Sequence, residues 1–223
     1  LSMMWQRRTI LSPGHNTGSP PRVSRTHPRK LKLNRISSEV SNRMSRKTLS
    51  QDSNSEFHRR KLKWTNQFVE DNIDIIESNY SKFPNRNRWN CNCHVIHDDD
   101  FDVQHIDYPL LREKYEKVVD DFCRKQNLRL SHLSDLWYNY YKRGQYQEPH
   151  THDGPVGKSF TAVHYMIFDH KHHSETKFID SDIVAPKVKQ GHILFFPSNW
   201  THYVPYNQTT IPRLTVAFTF ICY

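Results

Sequence analysis

The sequence predicts a mainly β fold, a sandwich or barrel of the jelly-roll kind with helices packed outside it. Three features point that way. Beyond Ser131 the chain breaks into short aromatic and β-branched segments separated by Gly, Pro, Asn or Asp. No helical pattern is interleaved among them, and the two helical patterns present both come earlier. The organisation that follows is a disordered basic tail over residues 1–55, a helical flanking region over 56–130 and a β core over 131–223.

Residues 1–55 are rich in Arg, Ser, Pro and Asn with almost no apolar periodicity, so burial cannot offset the entropy of ordering them. Their composition also fits an organellar transit peptide, or upstream sequence ahead of a start at Met44. From His58 to about Tyr80, Leu62, Trp64, Phe68, Ile73, Ile75 and Ile76 fall in clusters three to five apart, a broadly helical spacing. A second helix is clearer. Leu111, Tyr115, Val118, Val119 and Phe122 share one face, and Asp107 with Pro109 supplies the start signal. Between the helices the acidic run Asp98 to Asp100, with Asp102, reads as a solvated loop, a hard-cation site being the alternative. The expected strands are Leu133–Lys142, Phe160–Phe168, Thr176–Ile179, Ile193–Phe196, Thr201–Tyr206 and Leu214–Ile221.

The net charge of +9 is unevenly placed: residues 1–50 hold 11 Lys/Arg against Glu39, while residues 51–223 hold 21 basic and 22 acidic side chains. A near-neutral body carries no footprint for a phosphate backbone, so any nucleic-acid contact would run through the tail. Four irregularly spaced cysteines suit a reducing compartment, and Cys91 and Cys93, with no second pair nearby, read as buried or idle thiols. No stretch approaches the ~18 apolar residues of a membrane span, and no signal-peptide pattern is present, so no membrane partner and a cytoplasmic location are expected.

The chemically informative segment is Gly144-Gln145-Tyr146-Gln147-Glu148-Pro149-His150-Thr151-His152-Asp153-Gly154. Residues two apart on a strand share a face, so His150 and His152 would present both imidazoles together, about 7 Å apart at Cα. About fifty residues on comes Gly191-His192-Ile193-Leu194-Phe195-Phe196-Pro197, then Ser198-Asn199-Trp200-Thr201-His202, then Pro212-Arg213-Leu214-Thr215. In the last strand Leu214, Val216, Phe218 and Phe220 alternate with Arg213, Thr215, Ala217 and Thr219. One face is bulky and apolar, while the other is small, polar and carries a guanidinium, as a cavity lining does.

From Trp137 to Phe220 this order and spacing resembles the 2-oxoglutarate/Fe(II) oxygenases, particularly their prolyl-hydroxylase-like and phage-type members. The resemblance implies a double-stranded β-helix in which His150 is the first metal ligand and His202 the distal one. It gives Arg213 to the far carboxylate of 2-oxoglutarate, a role that the planar donor fork suits. Tyr165, Tyr141 and Thr215 would complete the co-substrate site. The family's usual third ligand is a carboxylate, but the matching position here is His152. Asp153 is the alternative if the strand ends and turns at Asp-Gly-Pro, and Asp180 or Asp182 is a further candidate. The remaining histidines have no convergent partner: His164, His170, His172 and His173 read as solvated, and His192 as capping a strand edge.

The implied cofactors are Fe(II), 2-oxoglutarate as co-substrate and O2, with ascorbate as an accessory reductant. The implied reaction is hydroxylation coupled to decarboxylation of 2-oxoglutarate to succinate, with a peptidyl proline or other protein side chain as the first substrate class and small molecules as a wider one. Two alternatives stay open. One is a nucleobase hydroxylase or dealkylase using the basic tail; the other is a non-catalytic, cupin-like metal-binding jelly roll. The phage-type flavour of the motif also admits a virus-encoded protein acting in its host's cytoplasm.

Overall fold

Along the chain run β1 (His58–Lys61), α1 (Thr65–Lys82), β2 (His94–His97), α2 (Tyr108–Lys125), β3 (Leu130–Tyr141) and β4 (Gln147–His150). They are followed by β5 (Ser159–Ile167), β6 (Lys177–Phe178), β7 (His192–Pro197), β8 (His202–Val204) and β9 (Arg213–Cys222). The computed structural model describes residues 57–87, 91–179 and 183–223, so the expected tail over 1–55 lies outside the described residues. All six expected strands are present, their ends shifted by one to three residues. Six strands form one antiparallel sheet in the order β1-β7-β5-β9-β3-β2, and three form a second in the order β4-β8-β6. Among the described residues no helix is long and apolar enough to cross a membrane.

Strand alternation sorts the side chains of the large sheet into two cores. Leu214, Val216, Phe218 and Phe220 of β9, Tyr138 and Tyr140 of β3, Ala162 and Met166 of β5 and Ile193 and Phe195 of β7 join one core. Phe68 and Ile76 of α1 and the expected Leu111, Tyr115, Val118, Val119 and Phe122 of α2 close it from outside. Asp107 caps α2 by accepting the N–H of Leu110 at 3.0 Å. The intervening residues Trp137, Tyr141, Val163, Tyr165, Leu194, Phe196 and Ala217 form a second core, to which β8 contributes Val204. The jelly-roll expectation therefore holds.

The flanking region is not purely helical, however: β1 and β2 come from it and pair with the outer edges of the large sheet, on β7 and β3. The stretch His58–Lys61 lies ahead of α1 rather than within a helix. It is mostly exposed and charged, so backbone pairing to β7 and not apolar alternation makes it a strand. In β2 all four residues are buried, and so short a run carries no periodic signal.

Candidate active site

His150 and His202 are directly opposed partners across β4 and β8, which sets their imidazoles 4.3 Å apart between ring centroids. His152 lies two residues beyond β4, where its backbone N–H donates to the Ser198 carbonyl at 2.9 Å, and its ring is 5.1 Å from His150 and 5.2 Å from His202. One nitrogen from each ring lies within 4.8 Å of the others, a spacing that a single metal ion can bridge. Hydrogen bonds orient two of the rings. The Nδ1–H of His150 donates to the Glu148 carbonyl at 2.8 Å and that of His202 to the Trp200 carbonyl at 2.9 Å, which fixes the tautomer of each ring. The Trp137 indole packs 5.3 Å from the His152 ring. Burial disfavours the charged form of all three rings: it lowers His150, holds His152 well below its ordinary value and brings His202 down to about 3, the neighbouring imidazoles adding to the effect on the last two.

Asp153 does not join this cluster. The chain turns outward at Gly154, whose φ is +145° and whose Cβ would sit 2.2 Å from Ser159 Oγ, and the Asp153 side chain is exposed. Asp180 and Asp182 lie outside the described residues.

The same three histidines share a small cavity of about 20 Å³ with Arg213, Thr215 and Tyr141. Arg213 opens β9 and is 2 % exposed. Its guanidinium sits over the rings of Tyr141, Tyr165 and Phe168 at 4.9, 5.6 and 5.9 Å, yet Nε, Nη1 and Nη2 are buried with no hydrogen-bond acceptor among the described residues. A buried guanidinium without an acceptor is costly, so this cavity is built to receive an anion that supplies acceptors. Three neutral imidazoles beside an unsatisfied guanidinium fit a metal ion together with a carboxylate-bearing ligand.

Tyr141 lines the cavity with its hydroxyl given to Gln147 Oε1 at 3.0 Å, and Thr215 lines it beside Asn139. Tyr165, expected as a lining residue, stands back. Its hydroxyl donates to Thr176 Oγ1 at 2.9 Å and accepts the Thr176 N–H at 3.3 Å, so Thr176 faces the cavity in its place. The polar walls Asn139, Gln147, Thr161 and Thr176 went unnoticed in the sequence. Counting back by two from Tyr141 would have found Asn139 and Trp137, and from Tyr165 Val163 and Thr161; nothing marks Thr176.

Two histidines expected to be solvated are buried. His164 is fully enclosed, with Nδ1 2.8 Å from the Tyr115 hydroxyl and Nε2 2.9 Å from Thr65 Oγ1, and burial brings its pKa down to about 3. The physical reason is that Thr65 of α1 and Tyr115 of α2 cover the β5 face opposite Tyr165, which strand alternation alone leaves open. His173 accepts the Asp169 N–H at Nδ1 and donates to the Ile211 carbonyl, each at 3.0 Å, tying its loop to the approach to β9. His170 and His172 are exposed as expected. The acidic run is held by arginines, Asp98 by Arg112 at 2.6 Å and Asp100 and Asp102 by Arg86 at 3.0 and 2.6 Å. Cys91 and Cys93 are free, buried thiols.

Residues 157–219 match the family model described as "Putative 2OG-Fe(II) oxygenase". No curated protein matches the chain in sequence. Among solved structures, a Pseudomonas putida prolyl-4-hydroxylase superposes with a TM-score of 0.54 at 14 % identity, covering 74 % of this chain and 92 % of that one. The viral collagen prolyl hydroxylase of Paramecium Bursaria Chlorella virus-1, in its 2OG complex, gives 0.52 at 14 % identity over 74 % and 96 %. AviO1 from Streptomyces viridochromogenes Tue57 gives 0.55 at 10 % identity over 74 % and 89 %. At such identities these likenesses speak for the fold.

Proposed function

We propose that this chain, a 2-oxoglutarate/Fe(II)-dependent oxygenase by its family match and jelly-roll fold, hydroxylates a peptidyl proline or another protein side chain. The observation that carries the site assignment is the buried, acceptor-less Arg213 guanidinium in the cavity of three converging histidines. His150, His152 and His202 would hold the iron. Arg213 would take the far carboxylate of 2-oxoglutarate through paired, charge-assisted hydrogen bonds. With O2, iron and co-substrate supply an oxidant that replaces C–H by C–OH on the substrate while 2-oxoglutarate becomes succinate and CO2.

The chain's own part is positional. The Glu148 and Trp200 carbonyls hold His150 and His202 in the tautomer that points Nε2 inward, so no reorganisation is needed when a metal binds. Tyr141 and Tyr165 stack on Arg213 and fix the direction of its fork, while Thr176 and Thr215 offer hydroxyls to the same ligand. Val163, Val204 and Ala217 make the remaining wall apolar and limit water beside the reacting centre. The protein-substrate class rests on two of the similar structures being prolyl hydroxylases, one of them a collagen prolyl hydroxylase. Ascorbate would serve only to return iron to the ferrous state.

The test is turnover of Fe(II)-loaded protein with 2-oxoglutarate and proline-containing peptides. The expected result is succinate formation with an added oxygen mass on the peptide. Succinate without any peptide product would redirect the search to small-molecule or nucleobase substrates. No succinate under any Fe(II) condition would overturn the reading.

A further inference from the structure

Fourteen residues line the cavity, and Arg213 alone among them carries a formal charge. An imidazole that ligates a metal does so in its neutral form, so the three histidines add no charge of their own to a bound ion. The carboxylate that acts on His150, that of Glu148, does not line the cavity. A divalent ion bound here would therefore raise the charge carried by the cavity lining and its ion from one positive unit to three, with no carboxylate among the described lining residues. Where the family resemblance expects a carboxylate ligand, this chain places His152.

We propose that His152 makes metal binding depend on an anion: the His150, His152 and His202 set retains its divalent ion tightly only when an exogenous anion enters the cavity with it. This rests on the reading of the three histidines as metal ligands. Water screens charge poorly in an enclosed site, so the missing negative charge must come from the ligand side. 2-Oxoglutarate, with two carboxylates, would supply it twice, one of them being held by Arg213. By linkage the dependence is reciprocal, so the metal raises the affinity for the dianion by the same factor. A small monoanion meets the need in part, because it neutralises charge without chelating.

The test uses the full chain and Co(II), whose visible bands report ligation, in a sulfonate buffer with perchlorate as the salt. Opposite charges within ~4–6 Å shift an equilibrium by roughly tenfold to a thousandfold. Azide should therefore tighten Co(II) binding by about tenfold or more, and 2-oxoglutarate by more than azide. His152→Asp, which restores a carboxylate at the same position, should bind Co(II) about tenfold tighter without any anion and lose most of the azide response. The wild-type azide response stands by itself should that variant fold poorly. Co(II) binding that ignores azide, or an unchanged azide response in a folded His152→Asp protein, overturns the proposal. So does a tenfold loss of Co(II) affinity in Asp180→Asn or Asp182→Asn, since a chain carboxylate would then supply the charge. The site assignment fails separately, and the proposal with it, if His202→Ala leaves Co(II) binding intact.

Discussion

His164 and His202 are both buried imidazoles whose pKa is brought down to about 3, and they do opposite jobs. His164 lies in the core between the large sheet and the helices. There the Thr65 hydroxyl donates to the Leu62 carbonyl, so it accepts the His164 Nε2–H, and the Tyr115 hydroxyl donates to Nδ1. Both ring nitrogens are used. His202 lies between the sheets, gives its Nδ1–H to the Trp200 carbonyl and turns Nε2 toward His150 and His152. The two are opposite tautomers fixed by neighbouring oxygens. Burial and a depressed pKa therefore do not distinguish a structural histidine from a ligand. What distinguishes them is whether the second nitrogen has been satisfied.

The same contrast runs through the two cores. The helix-covered core is filled by apolar and aromatic side chains, such as Phe122 stacked on Phe195 at 5.0 Å and Tyr115 tilted against Phe218 at 4.6 Å. The core between the sheets closes around an unsatisfied cation. Replacing Arg213 with Met should break this difference most strongly. The affinity for 2-oxoglutarate should fall roughly a hundredfold or more with the loss of two charge-assisted hydrogen bonds, measured by calorimetry on metal-loaded protein. In the metal-free protein the same change should raise stability by about 1–2 kcal/mol, because it removes an uncompensated buried charge. A lower melting temperature for that variant would mean that the guanidinium has acceptors after all.

On the helical side, His164→Ala should cost about 2–4 kcal/mol in urea unfolding by leaving a hole and a Tyr115 hydroxyl without its acceptor, while metal binding is retained. Loss of metal binding in a folded His164→Ala protein would erase the division between the two regions. A further effect concerns pH. In the folded chain His164 stays neutral down to about 3, whereas in the unfolded chain it takes up a proton near its ordinary value of 6.5. Its contribution is therefore present above about 6.5 and lost as pH falls toward about 3, at about 1.4 kcal/mol per pH unit. His164→Gln should flatten the acid limb of the stability profile by that slope. Smallest of all, Asp153→Asn should leave metal affinity within about twofold, since its side chain is exposed and outside the cluster.

Much of this was legible in the sequence, for a specific reason. Period-two patterning in β9 separates Leu214, Val216, Phe218 and Phe220 from Arg213, Thr215 and Ala217, and the folded chain sends those sets to opposite faces. The spacing of His150 and His152 likewise survives, although β4 ends at His150 and the Ser198 carbonyl holds His152 in place. Less was legible where partners come from distant segments. Nothing local to His164 announces Thr65 and Tyr115, and nothing in His58–Lys61 announces a strand formed by pairing with β7. Thr176 displaces Tyr165 from the cavity wall through one hydrogen bond that pattern reading cannot foresee.

The most direct measurement is the visible spectrum of the protein titrated anaerobically with Fe(II) and 2-oxoglutarate. Wild type should develop the weak metal-to-ligand charge-transfer band of a chelated 2-oxo acid, and His202→Ala and Arg213→Met should lose it at matched concentrations. A band of equal strength in either variant, or none in wild type, would contradict the meeting of three imidazoles and one guanidinium on a shared ligand.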